Sequence, residues 1–179
     1  MSGLKHETKE WIKKHNEGFA LGIPEEEIKQ LEQKYHITLP KAYKEFLALT
    51  GQYFEPIRTL GHEFEYLDEI QSLARENLKE FDLEHLMPKR WWVIAEADGS
   101  EVIWYIDLDQ GDDPPVYGLN MVDYSETKDP QWYKKITDSF SEWIEKRIRI
   151  YREMQGELPP EDEEEDEDEN LAENDGSNE

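Results

Sequence analysis

Apolar residues recur at helical spacing twice between positions 23 and 51, and a Leu-Pro step separates the two runs. In the first, Ile28, Leu31 and Tyr35 fall at i, i+3 and i+7 while Lys29, Gln30, Glu32 and Lys34 take the wet side, which predicts an amphipathic helix packing by one face. Pro24 suits its first helical position, and Glu25, Glu26 and Glu27 set negative charge against the positive end of the helix dipole. Leu39-Pro40 ends that run and starts the next: the residue before a proline is driven out of the α region, whereas the proline itself can open a helix. Ala42, Tyr43, Phe46 and Leu47 form the second stripe, and Gly51 is expected to close it as a left-handed stop.

Residues 4–15 read as a short leading helix with Trp11 and Ile12 as its contacts, residues 56–60 as a short strand, and residues 68–81 as a helix with Ile70, Leu73, Ala74, Leu78 and Phe81 on one face. The period then changes. Trp91-Trp92-Val93-Ile94 and Val102-Ile103-Trp104-Tyr105-Ile106 are β-branched and aromatic, and Asp98-Gly99 between them is a turn signal, so an antiparallel hairpin is predicted. Strand alternation turns one of Trp91 and Trp92 outward. Residues 116–122 supply a further strand. Ser139 and Glu142 make a capping box, and Phe140, Trp143, Ile144, Ile148 and Tyr151 trace the face of a last helix with Arg147 as its polar member. Helices, a meander of strands and a closing helix, without strict βαβ alternation, predict an α+β fold: N-terminal helices packed on a mainly antiparallel sheet.

Charge changes the picture at one end. Of 44 acidic residues in 179, 13 lie at positions 157–179, where there is no Lys or Arg; the first 156 residues carry 31 acids against all 20 bases, a net of −11 out of −24. Pro159-Pro160 and nine consecutive acids from Glu161 cannot bury apolar surface and repel one another, so residues 156–179 are expected to be a disordered acidic tail, after a lead-in at 1–20 and one domain at 21–155. Such a tail can solubilise, steer a basic partner, or fold back on Lys146, Arg147, Arg149 and Arg152. There is no cysteine, the N-terminus lacks the apolar core of a signal peptide, and no run approaches a membrane span, which together point to a cytoplasmic protein.

Motifs for catalysis and metal binding are weak. Asp107, Asp109, Asp112 and Asp113 suggest a calcium loop, but counting twelve from Asp107 reaches Gly118 where a bidentate acid is needed. The best metal cluster, His62 with Glu63 and Glu65, lacks a spaced ligand pair on a helix; surface or packing roles are expected instead. No nucleophile elbow or phosphate-cradling Gly-rich loop is present, so neither a cofactor nor an enzymatic activity is expected. Lys89-Arg90-Trp91-Trp92 joins bases to aromatics, yet four residues do not offset phosphate repulsion in so acidic a chain.

A helix, then Leu-Pro, then a Tyr-x-x-Phe-Leu helix ending near Gly resembles the SMI1/KNR4 family, the SUKH superfamily, and so do the strand, Asp98-Gly99-Ser100 turn and strand, and the Ser139-Phe140-Ser141-Glu142-Trp143-Ile144 helix start. The resemblance spans residues 23–152 and departs at Thr50-Gly51-Gln52, where the family often carries Asn-Gly-Gly. It implies a binding domain: in bacteria an immunity protein that neutralises a cognate toxin, often a nuclease, and in fungi a regulatory scaffold with several partners. A basic toxin domain is the expected partner, with no nucleic acid and no membrane. Carboxylates can stand where the phosphates of a nuclease substrate would lie, and tryptophan anchors interfaces. The contact set expected on those grounds is Trp91, Trp92, Glu96, Asp98, Glu101, Trp104, Asp107, Asp109, Asp112 and Asp113.

Overall fold

The computed structural model describes residues 3–15 and 18–158. Its elements run α1 (His6–Lys14), β1 (Ala20–Leu21), α2 (Glu25–Tyr35), α3 (Lys41–Thr50), β2 (Tyr53–Phe54), α4 (Leu67–Glu80), β3 (Trp91–Ala97), β4 (Val102–Asp107), β5 (Val116–Asn120), α5 (Met121–Thr127), β6 (Tyr133–Thr137) and α6 (Phe140–Met154). Strands β3, β4, β5 and β6 form an antiparallel sheet in sequence order, and β1 pairs with β2 in a small ribbon. The fold is α+β, as the sequence predicts.

Both faces of the sheet are covered. Trp92, Ile94, Ala95, Ile106 and Val116 pack with Phe46, Leu47, Phe140, Trp143 and Ile144 under the helices α1, α2, α3 and α6. Trp91, Val93, Ile103, Tyr105 and Leu119 pack on the other side with Ile70, Ala74 and Leu78 of α4 and Met121 of α5. A register shift between Val93 and Ala95 sends Ile94 and Ala95 to the same face, which a regular strand would not do.

Local chemistry explains the differences from expectation. Pro24 and Pro40 are the residues just before α2 and α3, with extended ψ of 140° and 145°, rather than their first helical positions. Gly51 does not take the left-handed conformation; its φ is −62°. Space is what it needs, because a Cβ there would stand 2.6 Å from Ile23 Cγ1 and 2.7 Å from the Leu47 carbonyl oxygen. His36, at φ 53°, supplies the left-handed stop, after α2. The strand expected at 56–60 is a 3₁₀ turn at Glu55–Ile57, where Pro56 has no N–H for a ladder and Ile57 is buried. The strand expected at 116–122 stops at Asn120, whose side chain accepts the Asp123 N–H and caps α5. In α4, Leu73 is only half-buried and the neighbouring Gln71 is buried instead.

The lead-in is built into the core. Leu4 and Ile12 are buried, Glu45 of α3 accepts the Leu4 N–H at 2.9 Å, and Lys9 pairs with the same carboxylate at 2.7 Å. Gly156, at φ 73°, closes α6 and lets the Glu157 N–H reach the Arg152 carbonyl at 2.8 Å. Of the tail expected to be disordered at residues 156–179, residues 159–179 lie outside the described residues.

Candidate functional site

The hairpin holds the expected contact residues at two separate ends. Trp91 opposes Asp107 and Ala97 opposes Val102, so Glu96, Asp98 and Glu101 gather at the turn while Asp107, Asp109, Asp112 and Asp113 sit at the far end, about 20 Å away by strand rise. The structure therefore makes two sets of them, not one.

At the turn, Asp98, Gly99 and Ser100 all have positive φ, and Glu96 pins them by accepting the Ser100 N–H at 2.7 Å. Asn77 of α4 donates to the Gly99 carbonyl at 2.9 Å. Asp98 is exposed and Glu101 half-buried. Backbone bonds of 2.9 and 2.8 Å between Gly61 and Glu96 tie the loop that leads to Glu63, Phe64 and Glu65 to this end of the hairpin.

At the far end the acids are largely engaged inside the protein. Asp107 accepts the Asp109 N–H at 3.0 Å and the Gln110 amide at 3.3 Å, and Asp109 pairs with Arg90 at 2.7 Å. Asp113 accepts the Ser141 N–H at 2.9 Å in the first turn of α6, while the Asp112 carbonyl receives the Ala42 N–H at 2.9 Å in the first turn of α3. Among the described residues the Asp112 carboxylate alone of these four has no such partner, and Asp109, though paired with Arg90, is exposed as well. Asp113→Ala should lower stability by about 1 kcal/mol through loss of this cap, read as a fall in the thermal midpoint at neutral pH.

Neither tryptophan of the pair faces outward, contrary to the alternation argument: Trp91 is 8% exposed and Trp92 1%. Alternation turns a residue outward only where one face of the sheet is bare, and here α4 covers the second face, with the Arg75 guanidinium 4.4 Å from the centre of the Trp91 ring. Trp104 is half-buried beneath Arg147, which lies 5.4 Å from its ring and 5.1 Å from that of Trp143; burial pushes the Arg147 pKa down. His62 is buried. Its Nδ1–H donates to the Leu60 carbonyl at 2.9 Å, and desolvation lowers its pKa, so it packs as a neutral ring. Gly118 lies inside β5 and cannot complete a calcium loop begun at Asp107, and no group of three potential ligands is found among the described residues.

A tyrosine cluster beside the far end escaped the sequence reading. Tyr105 and Tyr117 stack with centres 5.4 Å apart, the Tyr105 hydroxyl donates to that of Tyr133 at 3.2 Å, and Tyr133 donates to the Leu86 carbonyl at 2.8 Å. Burial pushes the Tyr105 phenol up, with Tyr133 adding to it. Alternation would have placed Tyr105 and Tyr117 on one face, but Tyr133 belongs to a strand the pattern does not reveal. Tyr117 also donates to Gln110 at 3.2 Å, linking the stack to Asp107. Tyr105 is buried and the three hydroxyls are bonded within the protein, so the cluster packs the second face of the sheet.

A family model described as "SMI1 / KNR4 family (SUKH-1)" matches residues 22–146. No curated protein gives a significant match.

Proposed function

The chain belongs to the SMI1/KNR4 family (SUKH-1), and from that premise we propose that it is a stoichiometric binding protein of the immunity kind, acting in the bacterial cytoplasm on a cognate basic toxin domain of the nuclease class. The observation that carries this reading is the uncompensated charge of the folded body, 31 acids against 20 bases in the first 156 residues. Asp98, Glu101 and Asp112 reach solvent with no Lys or Arg beside them among the described residues. A nuclease must attract phosphate and is therefore basic where it binds, and carboxylates presented to that surface occlude it. In this reading the hairpin contributes Asp98 and Glu101 from its turn and Asp109 and Asp112 from its far end. Trp91, Trp92, Glu96, Asp107 and Asp113 act indirectly, by holding those carboxylates in place. Among the described residues no helix is long and apolar enough to cross a membrane.

Affinity capture from the native source at about 50 and about 300 mM salt tests the reading. One stoichiometric basic protein, retained at low salt, weakened at high salt and losing its activity at a one-to-one ratio, is the expected result. Several unrelated partners without a dominant one would instead favour the regulatory scaffold, and an empty eluate would count against both.

A further inference from the structure

Between β1, α2 and the loop after β2 lies a cleft of about 260 Å³, lined by Leu21, Glu27, Gln52, Glu63, Phe64 and Glu65, with Ile23 behind them. The ribbon alternates so that Ala20 is buried and Leu21 points out, leaving this leucine 56% exposed; Tyr66, next to Glu65, is 50% exposed. Apolar surface is thus offered to solvent at a place with acids on two rims, Glu27 from α2 and Glu63 and Glu65 from the loop.

Glu10, Glu25, Glu32, Glu45, Glu142 and Glu145 each pair with a lysine. Glu27, Glu63, Glu65 and the nearby Glu69 have no Lys or Arg partner among the described residues; Glu63 accepts only the His62 N–H, at 3.2 Å. Their field is felt locally, since Glu65 chiefly, with Glu63 and Glu69, pushes the exposed Tyr66 phenol upward. The larger groove between α1 and α6, about 600 Å³, has no such bias: its bases Lys5, Lys146 and Arg152 pair with Glu145, Glu142 and Glu157.

We propose that this cleft is a docking site for an extended cationic segment of a protein partner. An apolar side chain of the segment lies on Leu21 and Phe64, and Lys or Arg residues on either side of it meet Glu27 across from Glu63 and Glu65. The assignment rests on the preceding reading for the basic character of the partner and adds where it is held. Apolar contact at the centre excludes water from the charge pairs around it, which is the arrangement that concentrates binding energy. Through the Gly61–Glu96 bridge the acidic rim continues toward Asp98 and Glu101 at the hairpin turn.

The test uses the full chain and an acetylated, amidated peptide with leucine between two Lys-Arg pairs, followed by amide chemical shifts at about 20 mM salt. Shifts should concentrate at Leu21, Glu27, Gln52 and 63–66. Leu21→Ser, and Glu63→Gln with Glu65→Gln, should each weaken the peptide about tenfold without moving the unfolding midpoint. Shifts scattered over the acidic surface, or affinities indifferent to these changes, would overturn the assignment. The same variants separate it from the reading beneath it. If a basic toxin is captured and binds all of them equally, the cleft is wrong and the immunity reading stands. If the peptide seats in the cleft and no basic protein is captured, the cleft stands and the immunity reading falls.

Discussion

Trp92→Ala should cost about 3–5 kcal/mol of folding stability and is expected to lower the urea midpoint steeply, with the slope of the transition unchanged. The indole is 1% exposed, sits edge-on to the Tyr35 ring at 5.0 Å, and shares its core with Ile94, Ile106 and Trp143. Removing it leaves a cavity that strands and helices on both sides are too well anchored to fill. Domains of ordinary stability hold only about 5–15 kcal/mol in reserve, so a visible fraction of the variant should be unfolded at 37 °C. Trp104→Ala, on the same sheet face but half-buried, should lose distinctly less. A Trp92→Ala protein with native stability and reduced partner affinity would restore the tryptophan to an interface and contradict its placement here.

Gln71→Leu is expected to cost about 2–4 kcal/mol even though it adds apolar character to a buried site. The Gln71 side chain imitates a neighbouring strand: its amide donates to the Val93 carbonyl at 2.9 Å, and its oxygen accepts the Val93 N–H at 3.0 Å. Val93 lies at the bulge of β3, an edge strand, where the next strand that would satisfy these groups is missing. Leucine fills similar space and leaves a buried donor and a buried acceptor without partners. Urea unfolding gives the cost, and hydrogen exchange at the Val93 amide, accelerated in the variant, locates it. Unchanged protection would mean that the amide pair contributes nothing. The opposite edge is managed differently, since β6 carries the exposed Lys134 and Lys135, whose charges discourage another strand from pairing there.

The parts legible in the sequence are those where one local rule decides. Ile28, Leu31, Ala42, Tyr43, Phe46 and Leu47 are buried as their spacing requires, and the hairpin closes at Asp98-Gly99 because those residues accept positive φ. Ser139 caps α6 through the Glu142 N–H, although Glu142 reaches back to the Asp138 N–H rather than to Ser139 itself. Illegible parts depend on a second layer. Whether Trp91 faces water is decided by α4, far away in sequence; whether Asp113 binds a partner or a helix terminus is decided by α6. Strand β6, Tyr-Lys-Lys-Ile-Thr, has too little apolar alternation to stand out, because an edge strand with one side in solvent needs little. The candidate cleft could not be read at all, since Leu21, Glu27 and Glu63 meet only after β1 pairs with β2.

The family match begins at residue 22 and ends at 146, yet Leu4 and Ile12 before it and Ile148 after it are buried in the principal core. Glu45, inside the matched stretch, spends its carboxylate on Leu4 and Lys9, outside it. The stretch that marks kinship is therefore shorter than the stretch that packs as one core and is expected to melt as one piece. An excised segment cut at the family borders would be a torn core rather than a minimal domain, and grafts between relatives should carry α1 and the whole of α6 along.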